Sequence, residues 1–406
     1  MSMIAEWRAF TRPQKNAFIA SLLGWTLDAF DFFVMVFILK AIAADFGTDV
    51  KSIAFAVTLT LAMRPLGALV FGMLADKYGR RPILMIDILL FSGLELASAF
   101  APSLPALLVL RALFGFAMGG EWGLGASLTM ETIPASARGI ASGILQEGYA
   151  LGYLLAAVVY GLLFDTIGWR GMFAVGVLPA LLVLYIRRNV EESPAWHRAA
   201  TRKRRPMGEV FGQHGLRFLY VVILMTAFNF FSHGTQDLYP TFLQVQRGLS
   251  THTVSLITIV SMFGAIVGGI VFGQLSQSRG RRKAIVWAAL LALPVIPLWA
   301  FSTGALWLGV GAFLMQISVQ GAWGVIPVHL NELSPDEVRA TFPSFAYQLG
   351  NLLASVNATM QAGIAESHGN NYALALAIVA AAAVIGVVVL TSVGKEAHSV
   401  EFGAGT

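Results

Sequence analysis

The chain has 406 residues, 57% of them hydrophobic and only 12% charged, with a mean hydropathy of +0.72 and a net charge of +5. A water-soluble domain carries roughly one-quarter charged residues and could not hide so much apolar surface, which excludes a soluble fold. The chain contains no cysteine, which excludes disulfide, thiolate and Cys-ligated metal chemistry.

A membrane-spanning helix needs about 20 mostly apolar residues, and such stretches recur along the whole chain. In order, the expected spans are 17–42, 52–74, 82–100, 104–129, 139–163, 169–187, 216–245, 253–275, 284–302, 305–330, 341–364 and 372–393. Barrel strands would be shorter and alternating, which these runs are not. The first sixteen residues are polar and basic and lead straight into a full-length span, so no cleavable signal peptide is expected. Basic residues gather on one side of the twelve-span arrangement: Arg8, Arg12, Lys15, Lys77, Arg80, Arg81, Arg138, the cluster from Arg187 to Arg217, Arg279, Arg281, Arg282, Lys283, Arg339 and Lys395. Only Lys40, Lys51, Arg170 and Arg247 fall on the other. The positive-inside rule then puts both termini in the cytoplasm and the protein in the plasma membrane. The run Arg202 to Arg205 belongs to this topology signal and is not read as a nucleic-acid site.

The sequence repeats itself. GMLADKYGRR from residue 72 meets GQLSQSRGRR from residue 273, and the same offset of 201 aligns Trp122 with Trp323, Gly123 with Gly324, Glu131 with Glu332, Pro134 with Pro335 and Arg138 with Arg339. The shared positions are glycines, prolines and charges, many of them in loops, which general hydrophobicity does not dictate. A duplicated six-helix unit explains them. The expected fold is an all-α polytopic membrane protein of twelve transmembrane helices in two pseudo-symmetric halves, 1–187 and 216–406, joined by a cytoplasmic linker at 188–215. Such halves place a solute site between them near the bilayer midplane and rock to give alternating access. Two halves complete a transport unit, so a monomer suffices.

These motifs resemble the major facilitator superfamily over nearly the whole chain. Gly72, Asp76, Gly79, Arg80 and Arg81 look like its signature between helices 2 and 3; RALFGFAMGG, with Arg111, Gly115 and Gly119, resembles its helix 4; and METIPASARG resembles the loop before helix 5. VEESPAW at 190–196 is similar to the segment after helix 6 in sugar-porter-like members. Asp76 and the arginines, with Arg138, are expected to form gating bonds that break when the halves rock, while Gly72 and Gly79 permit close approach. In the repeat Gln277 replaces Asp76, so the second latch should be weaker.

Charges inside a bilayer cost about 2.5–3.5 kcal/mol each even on a lenient scale, which marks them as functional candidates. Asp28 and Asp31 in span 1 are three apart and share a helix face. Two close carboxylates resist double ionisation, so the pair could carry a coupled proton; otherwise it is a fixed partner for Arg64. Arg64 in span 2 has no basic counterpart in the repeat, where Ala265 stands, and its fork suits a carboxylate. It is the expected anion anchor, with a structural salt bridge to span 1 as the alternative. Arg111 and Glu121 in span 4 join the proton-coupling candidates, whereas Asp87 and Glu95 in span 3 find no role.

Span 7 carries NFFSHGTQDLYPT, in which Asn229, His233, Gln236 or Asp237, and Thr241 form one polar stripe, with Pro240 as a plausible hinge. By the repeat Asn229 meets Asp28 and Ser232 meets Asp31. Gln348 and Asn351 in span 11 and Gln146 and Tyr149 in span 5 offer neutral hydrogen-bonding groups, either to a solute or between helices.

The span 7 stretch narrows the resemblance to the sialate:proton symporter family, in its lactate and pyruvate permease branch, through Asn229, Ser232, His233, Gln236 and Asp237, with Thr241 one position off the spacing. DAFDFF at 28–33 is similar to span 1 of that family and of aromatic-acid proton symporters. The resemblance implies that a carboxylate is carried with a proton, in a short chain without the extra helices of sialic-acid members. The expected cycle loads a proton on Asp28, Asp31 or Asp237 and an anion on Arg64, with Asn229, His233, Gln348 and Asn351 completing its contacts. The leading expectation is a symporter of a short monocarboxylate such as lactate or pyruvate; the alternatives are a sialic or aromatic acid symporter, a sugar facilitator or a drug antiporter. The segment GILQEGYALG lacks the Gly-Pro pair of drug/proton antiporters. No Walker loop or paired-histidine motif is present, so no cofactor, metal or enzymatic activity is expected.

Overall fold

A computed structural model describes residues 7–48, 50–200, 207–398 and 400–402; the basic run Arg202 to Arg205 lies outside them. Regular structure among the described residues is helical throughout. Span 1 is the helix Arg12–Asp45, started by Thr11, whose backbone N–H donates to Gln14 Oε1 at 2.9 Å in a capping box. Spans 2 to 4 are Val50–Tyr78, Arg80–Ala99 and Leu104–Thr132. Span 5 runs from Arg138–Gln146 into Gly148–Val175. Gly168, at φ 62°, breaks that second helix and begins span 6, which Ala180–Asn189 completes.

Span 7 is Met207–Gln236, followed by the short turn Tyr239–Thr241 and a π turn at Phe242–Gln246. Span 8 is Thr251–Arg279 and span 9 is Arg281–Phe301. Span 10 joins Ala305–Trp323 to Ile326–Leu333, span 11 joins Thr341–Ala354 to Asn357–Ser367, and span 12 is Tyr372–Val393.

Nine segments among the described residues are long and apolar enough to cross a membrane, with span 5 and the start of span 6 counted as one. The other three expected spans, 1, 6 and 11, are not among these nine; span 6 is broken after Val175 and span 11 after Ala354. Large apolar side chains such as Leu162, Leu306 and Val393 stay exposed on the outside of the bundle, the surface that a bilayer covers.

The duplication reappears as repeated packing. A Cβ on Gly67 would run into the carbonyl of Phe116, and one on Gly268 into that of Ile317, at positions related by the same offset of 201. Small residues let spans 2 and 4, and spans 8 and 10, approach backbone to backbone. Between the two sets of six, span 2 meets span 11 at Gly72 and Thr341, and span 5 meets span 8 where Gly139 and Gly143 face Gly269 and Gly273.

Candidate functional site

Span 1 brings Asp28 and Asp31 to full burial, but the two face different partners. Asp28 Oδ2 accepts from Arg64 at 3.5 Å, the ion pair foreseen as the structural alternative for Arg64. This contact is long, and Arg64 Nε and Asp28 Oδ1 have no hydrogen-bond partner among the described residues. The guanidinium also lies 5.5 Å from the Phe32 ring. Asp31 instead turns toward Glu95, both carboxyl groups bordering Gly176, and neither of its oxygens finds a hydrogen bond. The two aspartates therefore do not bond to each other, although they share a helix face.

Glu95, which had no role in the sequence, holds Arg111 at 2.6 Å, and Arg111 also donates to Ser98 Oγ at 2.8 Å while stacking 4.1 Å from the Phe114 ring. The Arg111 guanidinium is thus committed within spans 3 and 4. Glu121 lies against Gly24 of span 1, and Asp87 borders Gly120; all four carboxyl oxygens of these two acids are buried without a hydrogen-bond partner among the described residues. Five buried carboxyl groups of the first six spans, Asp28, Asp31, Asp87, Glu95 and Glu121, thus gather around two guanidiniums, Arg64 and Arg111. A buried carboxylate with no cation costs several kcal/mol, so a cluster with surplus acids is suited to holding protons.

His233 on span 7 bridges two expected partners: Nδ1 lies 3.1 Å from Asp237 Oδ1 and Nε2 lies 3.0 Å from Asn351 Oδ1 of span 11. Gln236 donates to Ser232 Oγ at 3.0 Å and to Gln316 Oε1 of span 10 at 3.3 Å. Asn229 is spent on its own helix, donating to the Met225 carbonyl at 2.8 Å. Thr241 drops out of the stripe because the helix stops at Gln236, one turn before Pro240, whose ring cannot continue it. In span 5, Gln146 accepts from Trp122 Nε1 at 3.2 Å, the helix-to-helix alternative foreseen for it. Gln348 is buried with its Oε1 unpartnered.

A cavity of about 220 Å³ opens between the two sets of spans. Phe33, Tyr149 and Tyr153 line one side; Gln236, Asp237 and Pro240 of the span 7 region, Thr258, Ser261 and Met262 of span 8, Trp299 of span 9 and Gln316 of span 10 line the other. Of the expected site residues, Tyr149 and Asp237 line it. Arg64 does not line the cavity, but its charge is near enough to act on Tyr149 of the lining and on Tyr347. Tyr149 is held by stacking on Trp25 at 5.9 Å and an edge contact with Phe33 at 5.2 Å. The sequence reading missed Phe33, Tyr153, Trp299 and Gln316, since aromatic residues in apolar helices carry no signal of which face is wet.

At the face expected to be cytoplasmic, the residues expected to gate meet the other half only in part. Asp76 crosses to the other six spans, accepting from the N–H groups of Ala340 and Thr341 at 3.0 Å each and from Thr341 Oγ1 at 2.6 Å, at the N-terminus of span 11. Arg80 and Arg81 do not cross. Arg80 forms a fork on Glu131 at 3.1 and 2.8 Å, and Arg81 donates to the Arg187 carbonyl at 2.7 Å, both within the first six spans. Arg138 donates to the carbonyls of Met130 and Val400 at 2.9 and 2.7 Å and lies 3.6 Å from the Phe402 ring. Gly79, at φ 112°, makes the turn between spans 2 and 3. The repeat copies the scheme: Arg281 forks on Glu332 at 2.9 and 3.0 Å, while Gln277 accepts from Gly139 N–H at 3.0 Å and donates to the Ala135 carbonyl at 2.9 Å.

The model of the Major Facilitator Superfamily matches residues 21–358. The chain belongs to the major facilitator superfamily. As a superfamily member it is a multi-pass membrane transporter and not an enzyme. It is 31% identical over 90% of its length to a protein of Cupriavidus pinatubonensis named as a probable 4-methylmuconolactone transporter, covering 87% of that relative. It is 30% identical over 88% of its length to the sialic acid transporter NanX of Escherichia coli, covering 90% of that protein. A carboxylic acid transporter protein homolog of Saccharomyces cerevisiae is 28% identical over 90% of this chain, which spans 64% of the yeast protein's length. In fold, the proton:xylose symporter XylE superposes with a TM-score of 0.79 at 18% identity, covering 96% of this chain and 98% of XylE.

Proposed function

We propose that this superfamily member imports an organic acid together with a proton across the plasma membrane, and that the acid is larger than lactate. The observation that carries the reading is the long, buried Arg64–Asp28 contact, whose guanidinium is near enough to act on Tyr149 of the cavity lining. An under-satisfied guanidinium suits a solute carboxylate, and Asp28 is the group that must give way. A proton on Asp28 removes the competitor, so acid and proton favour each other's binding. Loading both leaves no net charge to bury when the cavity closes. His233, fixed between Asp237 of the cavity lining and Asn351, is the second polar contact.

Acid size is argued from the lining and the relatives. A cavity of about 220 Å³ walled by Phe33, Tyr149, Tyr153 and Trp299 suits the flat face of an unsaturated or ring-bearing acid better than a three-carbon one. The names of the relatives, a muconolactone and a sialic acid transporter among them, support that alternative over lactate and pyruvate.

The test is uptake into proteoliposomes under an imposed inward proton gradient, with labelled lactate, benzoate, cis,cis-muconate and sialic acid offered separately. Gradient-driven accumulation of one of the larger acids, poorly inhibited by lactate, is the expected result. Accumulation of lactate alone would restore the short-acid reading, and accumulation of none would sink the acid substrate.

A further inference from the structure

Glu147 is a buried acid that neither the cavity nor the latch uses. It is 3% exposed, and its Oε1 has no hydrogen-bond partner among the described residues. It sits at the junction of Arg138–Gln146 and Gly148–Val175, and it extends the stripe Gly139, Gly143, Glu147 along span 5 at four-residue spacing. Opposite lie Gly273 and Gly269 of span 8, and a Cβ on Gly269 would collide with the Glu147 carboxyl group. Farther out, Tyr149 two residues along span 5 and Ser261 and Met262 two turns along span 8 line the cavity. Glu147 does not line it; it sits against Gly269, between the cavity and the closed contact of Gly139 and Gly143 with Gly273.

No charge faces it. Span 8 brings glycine backbone, span 1 brings Trp25 and Thr26 beside Gly148, and span 10 brings Gly324 against Gly269. The ionisable groups of the packed elements are engaged or turned elsewhere. Asp28 faces Arg64, Asp31 faces Glu95, Glu121 lies against Gly24, and Glu131 and Glu332 are held by Arg80 and Arg281. His329 of span 10 stands among the influences of Arg281 and Arg282, and burial alone acts on Glu147.

The repeat isolates what is special here. Residue 147 shifted by 201 is Gln348 in span 11, and Asp76 shifted by 201 is Gln277. The two interfaces between the halves thus hold an acid and an amide in exchanged places. In the interface of spans 2 and 11 the acid is Asp76, satisfied by three donors. In the interface of spans 5 and 8 the acid is Glu147, with an oxygen that no donor reaches.

We infer that Glu147 is a proton-operated catch on the cytoplasmic side: spans 5 and 8 close on each other only while its carboxyl group carries a proton. Closed, an ionised Glu147 would lie against glycine backbone with no cation and too few donors, the costly arrangement for a buried charge. Opened, it meets cytoplasmic water and its O–H proton passes to that water; on closing, a proton returns from the same side. This proton is therefore not transported. It ties the rocking equilibrium to cytoplasmic pH, acid favouring the closed form and alkali the open one. The inference needs the rocking of the halves but not an acid as solute, so it stands or falls separately from the function proposed above.

The absence of cysteine makes the test direct. Ser136→Cys and Ser278→Cys, both at exposed positions flanking the cytoplasmic ends of spans 5 and 8, accept spin labels whose separation is read by pulsed electron resonance over a pH series, without solute. The short separation should dominate in acid and a longer one should grow in alkali. Glu147→Gln should keep the short separation at every pH, whereas Glu147→Asp and the pair Asp28→Asn with Asp31→Asn should keep the pH response. Gln348→Glu, a second and independent variant, should enlarge the alkaline opening. A Glu147→Gln protein that follows pH like its parent, a response abolished by the span 1 variants, or no effect of Gln348→Glu would each overturn the catch.

Discussion

Arg64 and Asp28 set the terms at the level of single residues. Each is buried, each has an atom without a partner, and the one contact between them is long. Arg64→Lys keeps the charge but loses the fork, removing a charge-assisted bond of about 1.5–3 kcal/mol, so the KM for the acid should rise roughly tenfold to a hundredfold. Uptake kinetics in proteoliposomes measure this, and an unchanged KM would remove Arg64 from the binding site. Asp28→Asn mimics the protonated acid. In this variant solute affinity should lose its dependence on pH, because nothing competes for Arg64 in alkali, and uphill accumulation should collapse while exchange of labelled for unlabelled solute persists. Equilibrium binding across a pH series, paired with counterflow, separates these effects. The ionisable residues of spans 1, 2 and 7 were legible as sequence because their cost in a bilayer demands an explanation. Their pairings were not. Glu95 claims Arg111 through a contact between spans 3 and 4 that spacing within either helix does not reveal.

Among the elements, the decisive ones are the helix ends at the cytoplasmic face. Asp76 places its carboxylate on the free N–H groups at the start of span 11, where the helix dipole adds to the hydrogen bonds. Gln277 makes the counterpart bonds on span 5 without charge. Asp76→Asn should weaken the closed state by about 1–3 kcal/mol, shifting its population by roughly tenfold or more, whereas Gln277→Ala should shift it less. Modification of a single cysteine introduced at the cytoplasmic interface reports the shift, and equal effects of the two variants would contradict the inequality drawn from the repeat. The arginines of the signature loop do a different task from the one expected of them. Arg80 and Arg281 brace their own halves through Glu131 and Glu332, so the halves are stiff where they must move as bodies.

Taken whole, the proposed cycle couples two surfaces that cannot be open together. With the cytoplasmic contacts of Asp76 and Gln277 formed, the cavity is the space left between the two sets of spans. Uphill uptake should therefore depend on the proton gradient: a protonophore added to energised proteoliposomes should release accumulated acid to its equilibrium level, while an imposed electrical potential alone, with one proton per monocarboxylate, should drive little. Accumulation that survives the protonophore would rule out proton coupling.

Length, hydropathy and the offset of 201 residues determined the helical membrane fold and the matched halves, since apolar thickness and a duplicated loop are written along the chain. The tertiary structure decided what those positions face. Asp28 and Asp31 share a helix face, yet they meet Arg64 and Glu95 on different neighbours. Asp76 and Arg80 share a motif, yet only Asp76 crosses between the halves. Phe33, Tyr153 and Trp299 line the cavity although nothing in their own spans marks them as facing water. The physical reason is the same in each case. Insertion cost and periodicity belong to one helix and its bilayer, whereas pairing, access and gating depend on which helix packs alongside.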